Sequence, residues 1–442
     1  MFGEIFRFEL RQQLKSPLFW MIAIAFAALA FAAAGSDHIR IGGGIGNTHR
    51  NAPFVVVQML TFFAILGMFL ITVFVAGAAL RDFDAGTAEL FFATPVSRRA
   101  YLGGRFAAGY AAAVGVLIVV AVGLATGVMV PWVDPARLGP TSGTAYLYAF
   151  GVVVLPDLFF LSALMFLIAT LTRSMLSTYI GVIAFFVLWQ IAGTATDSPD
   201  HLTLGAIIDP FGLGAFDVAT RYWTAEERNT KLPGIVGVLL LNRVLWVGIG
   251  AVLIGAALAW FRPDREGLRL WRRRSKPVAA EPAIEHRSRI VLPTTPLQNN
   301  AAARLTQYWK LAAFDTRGVL LGVAFIVMLV FGLLNLGGSL FLSNELFGTK
   351  LYPVTHLMTE AMDGSYNFLL VIIIAFYAGE LVWRERGARI SEVTDAFSLP
   401  DFIPLLSKLT ALIAVIGVFL VAGAVECALY QLVRGYTHIE PG

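Results

Sequence analysis

The sequence predicts an all-α, polytopic transmembrane bundle of about nine helices. Hydrophobic residues make up 57% of the 442 residues, charged residues make up only 14%, and the mean hydropathy is +0.74. Soluble domains carry about 25% charged residues, so this chain is predicted to lie in a lipid bilayer. Its apolar residues form continuous runs, whereas the strands of a membrane β-barrel alternate apolar and polar residues.

Nine apolar runs could each cross a membrane, since a spanning helix needs roughly 20 mainly apolar residues. The eighth run is the shortest and the weakest candidate. In chain order the runs are Leu18–Ala34, Phe54–Leu80, Phe106–Val130, Tyr146–Leu171, Met175–Gly193, Leu239–Phe261, Val319–Leu336, Phe368–Trp383 and Leu409–Val433.

The distribution of basic residues predicts the orientation of these spans. With a cytoplasmic N-terminus, most Lys and Arg residues fall in cytoplasmic segments, and the stretch between Arg262 and Arg317 contributes the largest share. The net charge of +4 is explained by this bias, and no nucleic-acid partner is expected. A single cysteine, Cys427, excludes an internal disulfide, and neither a metal nor any other cofactor is expected.

The chain contains a direct repeat. The segment Phe8–Arg11 (FELR) is echoed by Phe314–Arg317 (FDTR), each just before an apolar run. One constant spacing then relates four further matches, which are Arg81-Asp82 with Arg384-Glu385, Glu89 with Glu392, Ala93 with Ala396, and Arg105 with Lys408. The order and the constant spacing predict two parallel copies of one module.

The repeat divides the chain into three parts. We expect a first module at residues 1–262 with six spans, a basic linker at 263–303, and a partial second module at 304–442 with three spans. Because the second copy stops after half a module, we expect the sequence to be part of a longer protein.

A polar segment between the second and third apolar runs, RDFDAGTAELFFATPVSRR (Arg81–Arg99), predicts a short surface helix. Asp84 or Thr87 could cap this helix, and Pro95 would end it. The N-terminal segment before Pro17 has the amphipathic pattern of a helix that lies in the membrane interface.

The chain resembles the ABC-2 type transporter permeases, which are membrane subunits of ABC exporters. The resemblance rests on the interfacial elbow helix, on GTAELFFATPVSR between the second and third spans, and on LTRSM (Leu171–Met175) between the fourth and fifth. It rests also on DPFG with TRYWTAEERNT, in the outer segment before the sixth span. It points to a subgroup of long bacterial permeases, some of them fused to an M1-type aminopeptidase domain. No H-E-x-x-H occurs in this chain, so that peptidase activity is not carried over.

The resemblance implies a multi-pass protein of the bacterial inner membrane that works with a separate ATP-binding subunit. A homodimer or a second permease chain is an open alternative for the rest of the assembly. In the family, the short helix after the second span couples to the ATPase. By position, that role falls on Arg81, Asp82, Glu89, Pro95, Arg98 and Arg99, and in the second copy on Arg384, Glu385 and Glu392. No G-x-x-x-x-G-K-[ST] occurs, so the chain is expected to be a permease and not an enzyme.

Asp157 is an ionisable residue inside an apolar run and is therefore a candidate functional residue. It follows Pro156, so it could also have a structural role at the start of a broken helix. Two other classes of protein remain as alternatives. An ATP-independent secondary transporter would more often show inverted repeats. An intramembrane enzyme would need converging catalytic groups, and all six histidines fall outside the apolar runs.

Overall fold

The computed structural model describes residues 1–36, 48–196, 199–262, 300–342, 345–346, 349–350, 352–387, 391–395, 400 and 402–437. The chain divides into two compact units, Met1–Leu268 and Arg269–Gly442. The division falls inside the predicted linker, of which residues 263–299 lie outside the described residues. Each unit is a bundle of α-helices.

The first unit contains thirteen α-helices among its described residues. They are α1 (Phe2–Lys15), α2 (Pro17–Gly35), α3 (Pro53–Ile71), α4 (Gly77–Asp84), α5 (Ala88–Phe92), α6 (Arg98–Gly127), α7 (Gly143–Tyr148), α8 (Leu155–Thr172), α9 (Met175–Ala195), α10 (Leu202–Ile208), α11 (Leu213–Thr220), α12 (Ala225–Thr230) and α13 (Gly237–Trp260). Short 3₁₀ turns lie at Pro135–Arg137 and Pro199–His201.

Six helical stretches among the described residues of the first unit are long and apolar enough to span a membrane, as the apolar runs predicted. α2, α6, α9 and α13 each form one span, whereas α3 with α4 and α7 with α8 are continuous helices interrupted by π turns at Thr72–Ala76 and Ala149–Val154. A π turn shifts the register of a helix and often marks a functional site. The apolar pattern gave no sign of either turn.

The core of the first unit lies where α3, α6 and α8 meet. Its fully buried side chains include Phe63, Met68, Leu117, Leu158 and Leu161. Large apolar side chains on α2, α9 and α13 remain exposed in the isolated chain, as expected for helices that face lipid.

The second unit contains five described α-helices and one short hairpin. They are α14 (Ala301–Leu320), α15 (Val323–Leu342), β1 (Glu345–Leu346), β2 (Thr349–Lys350), α16 (Thr355–Gly387), α17 (Ser391–Asp395) and α18 (Phe402–Val433). The two strands pair antiparallel, with Glu345 opposite Lys350. α15 and α18 are long and apolar enough to span a membrane.

The eighth predicted span is a bent helix. α16 bends by 43° between Thr355–Asn367 and Leu369–Arg386, and the two parts together form one candidate span. The described part of the chain thus holds eight candidate spans, or nine with this bent one. Only the second arm, Leu369–Arg386, is strongly apolar. The apolar run in the sequence is therefore short, because it covers this arm alone.

Candidate functional site: an exposed short helix and a buried ion cluster

The short helix α5 presents polar side chains on the surface of the first unit. Glu89 is exposed, and Pro95, Arg98 and Arg99 are exposed just beyond the helix. Leu90 is 73% exposed between them. We call these five residues the α5 surface, and the end of the bundle that carries them the α5 end.

Aromatic side chains fix the opposite side of α5 to the bundle. Phe91 and Phe92 pack on Tyr101 of α6, with ring centroids 5.6 and 5.0 Å apart, and Phe92 also packs on Phe261 at 5.8 Å. Such pairs contribute about 0.5–1.5 kcal/mol each beyond their buried area. α5 has only five residues, and these rings hold it against both α6 and the end of α13.

A group of buried charges joins α1, α4 and α6 next to α5. Glu9 is completely buried and accepts hydrogen bonds from Arg81 Nη1 at 2.5 Å and Arg105 Nη1 at 3.0 Å. Arg105 Nη2 also donates to Asp82 Oδ2, which accepts a further hydrogen bond from the Tyr101 hydroxyl at 2.7 Å. We call these five residues the first ion cluster.

Backbone carbonyls and one amide complete the first ion cluster. Gln13 Nε2 donates to Glu9 Oε1 at 3.2 Å and to the Phe74 carbonyl, in the first π turn, at 3.1 Å. Arg105 Nη1 donates to the Ala78 carbonyl at 2.8 Å. Two carboxylates face two guanidinium groups, so the cluster has no formal net charge. Buried ions persist only when they are paired and hydrogen-bonded in this way.

The structure divides the residues predicted for ATPase coupling into two groups. Glu89, Pro95, Arg98 and Arg99 belong to the exposed α5 surface, whereas Asp82 is only 7% exposed and belongs with Arg81 to the ion cluster. The repeat had singled out the segment that contains Glu9, and also Arg105. Sequence reasoning missed that these two residues contact Arg81 and Asp82, because the contacts cross up to 96 positions of the chain.

The second unit contains a matching cluster built from the repeated positions. Glu385 Oε1 and Lys408 Nζ form an ion pair at 3.1 Å, which corresponds to the pair of Asp82 with Arg105. Asp315 of α14 takes the place of Glu9 and accepts a hydrogen bond from Ser407 Oγ at 3.0 Å. Arg384 places its guanidinium 5.9 Å from the ring centre of Phe314. We call Asp315, Arg384, Glu385, Ser407 and Lys408 the second ion cluster.

The second ion cluster is more open than the first. The side chains of Lys408 and Glu385 are 16% and 33% exposed. Burial raises the pKa of Asp315, and the hydrogen bond from Ser407 and the nearby charges of Lys408 and Arg384 oppose that rise. Glu392 lies exposed on α17, in the position that corresponds to Glu89 on α5.

The LTRSM segment also lies at the α5 end. Arg173 ends α8 in a left-handed conformation with φ of 48°, and Ser174 then caps α9 by accepting from Ser177 N–H at 3.3 Å. The Arg173 guanidinium lies 4.3 Å from the ring centre of Phe83, and its Nη2 donates to the Arg262 carbonyl at 2.7 Å. This tight turn fixes α8 and α9 to the segment that leads into α5.

Asp157 lies far from these clusters and forms a buried ion pair. It is 1% exposed, and its Oδ1 accepts from Arg243 Nη1 of α13 at 2.6 Å. Asp157 lies 15 residues before the end of α8, or about 22 Å from the α5 end at 1.5 Å per residue. Sequence reasoning found no partner for Asp157, although an arginine inside another apolar run was a usable signal, because ionisable residues in spans are usually paired.

Candidate spans in this number, with an amphipathic first helix and a short exposed helix between the second and third spans, define a polytopic membrane protein. Residues 4–207, which run from α1 into α10, match the family model described as ABC-2 family transporter protein. This match covers most of the first unit and supports a membrane permease of an ABC-type system. A comparison with curated proteins gives no significant match.

Proposed function

We propose that this permease is the membrane component of an ATP-driven exporter and that a separate ATP-binding subunit supplies the energy. The α5 surface is the docking site for that subunit, and α17 with Glu392 is its counterpart in the second unit. The α5 end faces the cytoplasm, with the N-terminus inside and the spans in the inner membrane of a bacterial cell. The chain is not itself an enzyme, since its sequence lacks the phosphate-binding G-x-x-x-x-G-K-[ST] motif.

The observation that carries the proposal is the way in which α5 is attached. An exposed, charged helix sits on aromatic rings, and the same segment supplies Arg81 and Asp82 to the buried ion cluster. A force applied to the α5 surface would therefore reach α1 and α6 without passing through a flexible loop. Rigid-body movement of this kind is a common way to transmit a conformational change.

The proposal predicts that reversing one exposed charge weakens ATPase binding and leaves the bundle folded. Glu89→Arg places a positive side chain at an exposed position of α5, outside the five residues of the first ion cluster. We expect at least about tenfold weaker binding of the ATP-binding subunit that co-purifies with this chain in mild detergent, equivalent to about 1.4 kcal/mol. Titration of the purified permease in lipid nanodiscs with that subunit measures the change.

A matched control is Glu226→Arg, which reverses an exposed acidic residue on α12 in the connection between α9 and α13. This variant should bind the ATP-binding subunit with unchanged affinity. Equal affinity of the parent, Glu89→Arg and Glu226→Arg would rule out the α5 surface as the docking site.

A further inference from the structure

The turn between α10 and α11 lies at the end of the bundle opposite α5. We call residues 202–220, which comprise α10, this turn and α11, the far-end hairpin. Its inward side is fully packed, since Ala206, Phe211, Ala215 and Phe216 are each at most 4% exposed. The turn consists of the DPFG sequence. The resemblance named this motif but did not say where it lies in the fold, and the structure places it between α10 and α11.

Two neighbouring side chains of α13 hold the backbone of the far-end hairpin. Asn242 Nδ2 donates to the carbonyls of Ala206, Ile207 and Asp209 at 2.6, 3.1 and 2.8 Å. Arg243 Nη2 donates to the Pro210 carbonyl at 3.3 Å. The last carbonyls of a helix have no partner within that helix and attract positive charge. Asn242 therefore caps α10 from a different span, and Arg243 holds the turn that follows it.

The side chain of Asp209 fixes the other half of the turn. Its Oδ1 accepts from Trp189 Nε1 of α9 at 2.9 Å and from Phe211 N–H at 3.1 Å. Its Oδ2 accepts from Gly214 N–H at the start of α11 at 2.9 Å. Both oxygens of the Asp209 carboxylate thus accept hydrogen bonds from α9, the turn and α11. The carboxylate that pairs with Arg243 is that of Asp157.

Arg243 depends on Asp157 for its position. Besides the ion pair, Arg243 Nε and Nη2 donate to Asn242 Oδ1 at 2.9 and 2.5 Å. Both side chains are nearly inaccessible, with Asp157 1% and Arg243 6% exposed. A buried guanidinium that loses its counter-ion is strongly destabilised and moves toward water. Such a movement would release Asn242 and with it the carbonyls of Ala206, Asp209 and Pro210. The Ile207 carbonyl would keep the hydrogen bond that Trp246 Nε1 of α13 donates at 3.0 Å.

We propose that Asp157 and Arg243 are positioning residues that hold the far-end hairpin closed over the ends of α9 and α13. In this role the ion pair controls the exit of the permease. Calling the hairpin an exit rests on the proposed function, because that function places the α5 end in the cytoplasm. The physical claim, that the ion pair governs opening of the hairpin, stands on the contacts alone.

The test measures how often the hairpin opens. In a Cys427→Ser background, Ala215→Cys places a thiol on the buried side of α11, and a bulky water-soluble maleimide reports its exposure in nanodiscs. Adding Asp157→Asn should speed labelling at position 215 by at least about tenfold, since an unpaired buried charge favours local opening. Asp157→Glu, which restores the charge, should return labelling most of the way to the parent rate.

A second reporter distinguishes hairpin opening from general loosening. Ala112→Cys lies in the buried face of α6, away from the hairpin, and its labelling should stay slow in the Asp157→Asn variant. The proposal is overturned by unchanged labelling at position 215, or by an equal rise at positions 112 and 215.

A final arm connects the hairpin to transport. In the complex with its ATP-binding subunit, ATP turnover should speed labelling at position 215 several-fold when Asp157 is present. In the Asp157→Asn variant, whose hairpin is already open, ATP turnover should raise the labelling rate only slightly. A complex that hydrolyses ATP without any change at position 215 would overturn the gating role. If no ATP-binding subunit binds, the proposed function fails, whereas the labelling result without ATP still decides whether Asp157 holds the hairpin.

Discussion

At the scale of single residues, Gly212 shows how closely the far-end turn is fitted to Arg243. Its φ is +67°, a conformation that residues with a side chain rarely adopt. A Cβ atom at this position would also collide with the Arg243 guanidinium. Backbone conformation and side-chain packing thus both require glycine at the end of the DPFG sequence.

Gly212→Ala should therefore destabilise the protein more than a glycine substitution that brings backbone strain alone. The matched control is Gly86→Ala, because Gly86 has φ of +68° and open space around its Cβ position. We expect about 1 kcal/mol of destabilisation for Gly86→Ala and about 3 kcal/mol for Gly212→Ala. Thermal unfolding in detergent measures both, and equal losses would show that Arg243 does not constrain the turn.

At the scale of elements, α1 is attached to the bundle through its polar face. The sequence predicted an interfacial helix with apolar residues on one side, and Phe2 and Phe8 are indeed exposed, as expected for contact with lipid. The side chains of α1 that are fully buried are Glu9 and Gln13. The first ion cluster is thus what determines where α1 sits against α4 and α6.

Glu9→Gln should consequently loosen α1 from the bundle. The substitution leaves Arg81 and Arg105 with the single counter-charge of Asp82, so we expect about 3 kcal/mol of destabilisation. Hydrogen exchange of residues 2–15 should rise first, because α1 is the element that loses its main attachment.

The control for this substitution is Glu4→Gln, at an exposed position of the same helix. Its ion pair with the N-terminal amine is a surface pair, which contributes at most about 1 kcal/mol. A Glu4→Gln variant that exchanges as fast as Glu9→Gln would contradict the attachment of α1 through the ion cluster.

The same elements show what the sequence could and could not predict. The spans were predictable because each needs only a local run of apolar residues, and all nine correspond to helices. The π turns and the bend in α16 were not, since they leave the local apolar pattern unchanged. For the site, the repeat singled out Arg81, Asp82 and Arg105, but their burial follows from contacts between distant helices, which a single sequence does not encode in any local pattern.

At the scale of the whole molecule, the two units repeat one design with different chemistry. The first ion cluster uses Glu9 and Arg105, whereas the second uses the shorter Asp315 and the single ammonium of Lys408. A guanidinium can form several directed hydrogen bonds at once, and an ammonium acts more as a point charge. The first unit therefore has the more rigid connection between its elbow helix and its short surface helix.

Reversing both surface acids tests whether the two units act together. Glu89→Arg and Glu392→Arg should each weaken binding of the ATP-binding subunit, and Glu89→Arg should have the larger effect on stimulated ATP hydrolysis because its unit is more rigidly connected. The double variant should lose binding and stimulation. ATPase assays of the four proteins in nanodiscs measure this, and a Glu392→Arg variant identical to the parent would restrict docking to the first unit.

The ion pair of Asp157 with Arg243 has an electrical consequence. Moving one elementary charge across a membrane potential costs about 2.3 kcal/mol per 100 mV. A carboxylate and a guanidinium that move together carry no net charge through the field, so a hairpin that opens with the pair intact would work equally well in energised and de-energised cells. If opening instead separates the two side chains along the membrane normal, the membrane potential changes the free energy of opening the hairpin.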